Sequence, residues 1–324
     1  MPLPRTYVLP RSRLARATLT TVVVGALLAL GVAGYAIGRG GEDVVATAPG
    51  QAAETGAVAL RYPVGWSQRA RPPAMPGLNV EDPIVLSAGG GAGLVAGIVA
   101  DATGPDLLPR ALRRRLPRAP ESEPVRLGGI EALRYPYLQV RGFDGVLTLY
   151  AIPTARGSVV VACSFPAHAG AFFGDCERSA VTLRLDGLRA YPIGPDAGYG
   201  RRLAAAIGAI DTAMTQHGAR LEQARTAAGQ ASIGARLARS LTAIGATLDV
   251  GPVSARDREG HAKLVAAIDA SASAYRALSD AARAGDAYRY ERAAATVRTI
   301  SARLRDAGAA LASLGYMTAG AQDQ

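Results

Sequence analysis

Val146-Leu147-Thr148-Leu149-Tyr150-Ala151-Ile152-Pro153-Thr154-Ala155-Arg156-Gly157-Ser158-Val159-Val160-Val161-Ala162-Cys163-Ser164 decides the reading of the first half of the chain. Two apolar, β-branched runs flank a short polar connection, Thr154 to Gly157, which is the pattern of a hairpin. Working outward, the same rhythm predicts strands at Val58 to Tyr62, Ile84 to Ser87, Gly93 to Ala100, Ile130 to Val140 and Val181 to Leu185. Gly142-Phe143-Asp144-Gly145 supplies another tight turn. Helices are predicted between the strands near Asp106 to Leu116 and Ala167 to Arg178. Strands joined this tightly run antiparallel, with the helices packed against one sheet.

From Gly198 the period changes. Leu203, Ile207, Ile210, Met214, His217, Leu221 and Ala224 step by three and four, as the apolar seam of a helix does. Leu237, Leu241, Ile244 and Leu248 mark a second helix after a Thr226 cap. Leu264, Ile268, Ser271, Tyr275, Leu278 and Ala282 mark a third, with Ser271 read as a small packing residue whose hydroxyl bonds back one turn. Gly285-Asp286 turns the chain into a fourth helix, with Tyr290, Ala293, Val297, Ile300, Leu304, Ala307, Leu311 and Leu314 on its seam until Gly315. Short connections force antiparallel neighbours, so residues 198–318 are expected to form an up-down-up-down four-helix bundle that folds by itself. Arg189 to Gly200, with Pro192 and Pro195, reads as its connector.

Upstream, residues 17–38 form an uncharged apolar run between Arg16 and Arg39. As a helix rising about 1.5 Å per residue, the run matches a hydrocarbon core about 30 Å thick. Arg5, Arg11, Arg13 and Arg16 precede it, while Glu42 and Asp43 follow. The positive-inside rule therefore predicts a cytoplasmic tail at 1–16, an uncleaved single-pass anchor at 17–38 and an extracytoplasmic remainder. Ala46-Thr47-Ala48 resembles a signal-peptidase site, but Pro49 directly behind it disfavours cleavage, and the run exceeds the usual length of a signal peptide. Gly34 and Gly38 have the spacing that lets two membrane helices approach closely. Residues 39–56, rich in Gly, Ala and acid, read as a linker, residues 57–190 as an α/β sandwich and residues 319–324 as a disordered tail. The fold class is thus α+β: a transmembrane helix, an antiparallel-sheet sandwich and an all-α bundle.

The net charge of +10 dissolves when it is divided along the chain. Residues 1–17 carry four Arg and no acid, residues 18–199 carry 16 basic against 15 acidic side chains, and residues 200–324 carry 16 against 11. With the bulk expected outside the membrane and no recognition module in the pattern, nucleic-acid binding is excluded as a reading. A denser patch, Arg110, Arg113, Arg114, Arg115 and Arg118, has two readings. It is the solvated side of a helix whose buried side is Leu107, Leu108, Leu112 and Leu116, or a docking patch for an acidic partner or anionic headgroups.

Cys163 and Cys176 are the only cysteines. In an oxidising compartment an isolated pair is expected to be a structural disulfide. No metal or cofactor site is predicted: His168, His217 and His261 are scattered, and no Cys-x-x-Cys or His-Glu-x-x-His spacing occurs. Gly89 to Gly93 carries a superficial dinucleotide fingerprint, but a strand pattern follows it where a helix is required, so a hairpin loop is expected. There is no Gly-x-Ser-x-Gly, Ser-x-x-Lys or phosphate loop, and Asp175 and Glu177 cannot face each other on one helix. No catalytic residue is assigned, and the chain is read as non-enzymatic.

Tyr62-Pro63-Val64-Gly65-Trp66 ends an early strand and is followed by a Gly-flanked hairpin, an amphipathic helix and the meander through Leu149-Tyr150-Ala151-Ile152-Pro153-Thr154. Over residues 57–190 this order resembles the PsbP-like fold, which also occurs in LpqN-type envelope lipoproteins. The resemblance implies an extracytoplasmic α/β sandwich that binds other proteins, with no shared catalytic set. Trp66 is read as a core plug. The expected role is a membrane-anchored envelope protein recognising another protein or an envelope polymer. The alternative is a carrier or sensor of an apolar small molecule or lipid, which a loose helical core and an exposed apolar cleft would favour.

Overall fold

A computed structural model of the chain describes residues 50–70, 75–166 and 170–316. The apolar run at 17–38, the tail at 319–324 and His168 lie outside them. Among the described residues no helix is long and apolar enough to cross a membrane. Residues from Ala48 onward belong to one compact unit. Its class is α+β, a seven-stranded antiparallel sheet followed by a helical region.

The large sheet has the order β3 (Ser67–Gln68), β4 (Glu81–Gly89), β5 (Ala92–Val99), β9 (Gly157–Phe165), β8 (Val146–Thr154), β7 (Ile130–Gln139) and β6 (Glu123–Leu127). The hairpin expected at 146–164 sits at its centre, with Tyr150 opposite Val161 and Thr154 opposite Gly157. Every residue of β5 and β9 is buried. Both faces of these strands are covered, which is why their sequences run continuously apolar instead of alternating. Gly157 has φ 137°, and a Cβ there would lie 2.7 Å from Ala100 Cα. The hairpin can close against the neighbouring backbone only with glycine.

A three-stranded sheet, β1 (Gln51–Glu54), β2 (Val58–Tyr62) and β10 (Arg184–Leu185), covers one face of the large sheet together with α2 (Gly170–Val181). Val58, Leu60 and Tyr62 meet Ile84, Leu94, Ile98 and Ile152 there. Trp66 stacks on Phe172 at 5.1 Å between ring centroids and is 9 % exposed, a core position. Cys163 on β9 and Cys176 on α2 stand at disulfide distance, with Cα atoms 6.2 Å apart. Leu107, Leu108, Leu112 and Leu116 cover the opposite face.

Several expected boundaries move. Gln51–Glu54, placed in the linker, is a strand paired with β2. It buries only Ala53, so it carries no apolar alternation to announce it. β6 is likewise a polar edge strand. The helix expected from Asp106 to Leu116 shrinks to one turn, α1 (Arg110–Arg113). Leu107 adopts φ 51° and Pro109 is extended, which ends any helix before it begins. Val181, expected to open the last strand, ends α2 instead.

The helical region holds α3 (Ala197–Gln223), α4 (Ala227–Leu248), α5 (Arg258–Ala284) and α6 (Ala287–Ala312). Asp196, Thr226 and Asp286 cap three of their N-termini by accepting from Tyr199, Gly229 and Arg289 N–H groups. Gly285, left-handed at φ 68°, ends α5. All four helices share one core, including Leu203, Ile210, Leu237, Leu241, Leu264, Ile268, Tyr275 and Leu311. Gly234 lies against Ser279 and Gly245 against Ile268, so α4 and α5 approach closely.

Two of the expected seams are only half used. On α3 the buried stripe is Leu203, Ala206, Ile210 and Ala213, while Ile207, Met214, His217 and Leu221 are half-buried. On α6 it is Ala293, Ile300, Ala307 and Leu311, while Val297 and Leu304 are half-buried. The helical region is also sewn to the sheet. Gly104 N–H donates to Ala255 C=O and Ala255 N–H to Thr154 C=O, each at 2.9 Å. Ala255 is fully buried in the cluster on the sheet's second face.

Candidate ligand cleft in the helical region

The half-used seams of α3 and α6 border a cleft of about 350 Å³. Ile210 and Met214 from α3, Leu241 from α4, Tyr275 from α5, and Val297 and Leu304 from α6 give it an apolar interior. Asp211 and Arg305 join the lining and are exposed, one acid and one base at its rim. An apolar cavity of about 150 Å³ holds benzene, so this volume suits a molecule roughly twice that size.

The polar atoms inside are few. Ser271 is 7 % exposed and its hydroxyl donates to Ala267 C=O at 2.8 Å. That back-bond is the one expected, but the residue also lines the cleft. Ser301 donates to Val297 C=O at 2.9 Å. Tyr275, 6 % exposed, has its hydroxyl directed at Met214 Sδ, 3.8 Å away. Burial pushes the Tyr275 phenol above its ordinary pKa, so it stays a donor at neutral pH.

The arginine patch divides. Arg113 pairs with Asp106 at 2.9 Å, whereas Arg110, Arg114, Arg115 and Arg118 are exposed. Arg141 joins the exposed group and ties it down, its guanidinium donating to Arg114 C=O at 2.5 Å. Glu259 at the start of α5 is held below its ordinary pKa, first by its hydrogen bond from Lys263 and further by Arg110 and Arg113. Asp175 and Glu177 point to different partners. Asp175 pairs with Arg178, and Glu177 accepts from Arg134 at 2.6 Å and Tyr150 at 3.0 Å.

A polar cluster at the base of the helices has no counterpart in the sequence reading. Tyr316 donates to Asp257 Oδ2 at 2.7 Å and accepts from Asp196 N–H at 2.9 Å. His261 lies 3.3 Å from both the Tyr199 hydroxyl and Asp249 Oδ1. An acid, a histidine and a hydroxyl in line have the outline of a proton relay. Tyr199, however, is 1 % exposed, so the cluster is closed off from solvent, and its hydrogen bonds tie the start of α3 to α5 and to the end of α4. Burial raises the Asp257 pKa, against the opposing hydrogen bond from Tyr316. These residues span 120 positions and fall at or just beyond helix ends, where periodicity carries no signal.

The glycine run forms the β4–β5 turn, with Gly89, Gly90 and Gly91 all at positive φ and β5, a strand, behind it. Among the described residues no group of three His, Cys, Asp or Glu side chains is arranged to hold a metal ion. Comparison with protein-family models, with curated proteins and with solved structures returned no match.

Proposed function

We propose that this chain is a non-enzymatic binding module of the cell envelope, tethered through residues 17–38, whose antiparallel helical bundle holds an apolar small molecule. The observation that carries this reading is the cleft between α3 and α6. Two helices leave Met214, Val297 and Leu304 half-exposed around a concave apolar space instead of closing on each other. Closing it would bury those side chains at roughly 25 cal/mol per Å² of apolar surface, so an open cleft is a cost that a ligand offsets. The cleft thus favours the carrier or sensor over recognition of a protein or polymer by a flat face. The exposed Arg114, Arg115, Arg118 and Arg141 support that second role, docking to an acidic partner. The PsbP-like resemblance of residues 57–190 supports an envelope setting for either.

The test is photolabelling of the full-length protein in lipid nanodiscs with an aryl diazirine, followed by peptide mapping. Saturable labelling of Met214, Val297 or Leu304 is expected. Val297→Trp, which fills the cleft, should remove it. Labelling spread evenly over the helices, or unaffected by Val297→Trp, refutes the reading. N-terminal sequencing of the membrane-extracted protein checks the tether; a chain beginning near Pro49 refutes it.

A further inference from the structure

Resting on the cleft reading above, we infer that the ligand is a compact apolar molecule bearing one hydrogen-bond acceptor oxygen and no net charge, with the Tyr275 hydroxyl as the donor that selects it. The hydroxyl protons of Ser271 and Ser301 are spent on the carbonyls of Ala267 and Val297. Tyr275 alone among the lining hydroxyls has its proton on a thioether, at 3.8 Å. A thioether sulfur is a weak acceptor, and a buried tyrosine hydroxyl ordinarily finds an oxygen or nitrogen partner. An acceptor oxygen entering the cleft supplies that partner, while the hydrocarbon body takes the place of water against Ile210, Leu241, Val297 and Leu304. Asp211 and Arg305 bring opposite charges to the rim, so the opening favours neither an anionic nor a cationic head.

A matched pair of competitors isolates the hydroxyl. Hexanophenone carries a carbonyl acceptor and no donor; hexylbenzene has nearly the same skeleton without the oxygen. Each is titrated against aryl diazirine labelling of the full-length protein in nanodiscs, for the native sequence and for Tyr275→Phe, which keeps the ring. The half-inhibiting concentration of hexanophenone should rise about 2- to 12-fold in Tyr275→Phe, the span set by one net hydrogen bond. That of hexylbenzene should not move, and Tyr288→Phe, at an exposed ring, should leave both unchanged. An equal shift for both competitors means lost packing or lost fold and overturns the inference. No shift for either also overturns it, because the hydroxyl then does not meet the ligand. If octanoate competes more strongly than hexanophenone, Arg305 sets the head group and the uncharged class is wrong. If the native protein shows no saturable labelling, the cleft reading fails first and this inference with it.

Discussion

Tyr316→Phe removes one oxygen from the buried fastening at the base of the helices, and its cost should depend on pH in a defined direction. Tyr316 is 4 % exposed, Asp257 2 % and Asp196 7 %. The substitution deletes a hydrogen bond to a carboxylate, about 1.5–3 kcal/mol when that group is ionised. It also leaves the Asp196 N–H without its acceptor, so about 2–4 kcal/mol is lost where Asp257 is ionised, against a typical total of 5–15 kcal/mol. Burial is the largest influence on Asp257 and raises its pKa; Arg256 and His261 favour the charged form, and Asp196 opposes it. A carboxyl whose folded pKa is raised stabilises the fold fully below its unfolded value, near 3.9, and loses that contribution as pH rises through the folded value. Tyr316 moderates the loss by favouring the carboxylate, so Phe moves the folded pKa higher still. The penalty should therefore be about 2 kcal/mol where Asp257 is protonated, for one neutral bond and the stranded Asp196 N–H, and grow to about 3–4 kcal/mol as pH rises through the folded value and Asp257 ionises. Urea unfolding of the full-length native and variant proteins, followed by circular dichroism at several pH values, measures the difference directly, and other titrating groups cancel in it. A penalty that is flat with pH, or greatest at the acid end, refutes the assignment of Tyr316 as the donor to an ionised Asp257.

Three further outcomes follow from the packing. Leu311→Ala, at a fully buried position, should cost about 2–5 kcal/mol, whereas Leu304→Ala on the cleft wall should cost less than about 1.5 kcal/mol and alter diazirine labelling; equal urea midpoints for the two would refute the division of α6. Gly157→Ala should destabilise by more than about 2 kcal/mol, since it combines φ 137° with a Cβ pressed onto Ala100; a neutral effect on the midpoint would mean the hairpin packs differently. Cys163 and Cys176 should resist thiol labelling in unreduced, denatured protein, and Cys176→Ala should cost about 3 kcal/mol for a loop of sequence separation 13; reagent on both thiols in most molecules would defeat this.

Strands and helices with covered faces were legible because burial leaves a pattern. Val146 to Ser164 carries it as two nearly unbroken apolar runs, and Leu203 and Ile210 carry it as a helical period. β1 and β6, with little to bury, carry none. The leucines at 107, 108, 112 and 116 are buried as their spacing predicts, but on a strap with a single helical turn instead of a short helix from Asp106 to Leu116. A helix and an irregular strap can bury the same residues, and only Pro109 hinted at the strap. The cleft was hidden for a related reason: an apolar heptad says which residues avoid water, not whether a partner helix or a ligand shields them. Its trace lies in the polar-tipped and pliant residues Met214, Ser271 and Tyr275, which interrupt an otherwise aliphatic seam. The Asp196, Asp257, His261 and Tyr316 fastening had no trace at all, because its members meet only after the four helices are in place.

Ala255 joins the connection between α4 and α5 to the sheet's core, and this orders events in time as well as in space. The socket formed by Val99, Ala151 and Val160 lies in the first half of the chain, and its plug, Ala255, is made 95 residues after Val160. A chain emerging from its N-terminus thus completes its sheet before it can seal that sheet. At the roughly 5–20 residues per second of synthesis, the open socket persists for several seconds. Over that interval Leu107, Leu108, Leu112 and Leu116 are already made to cover that face, and the place of Ala255 stays unfilled.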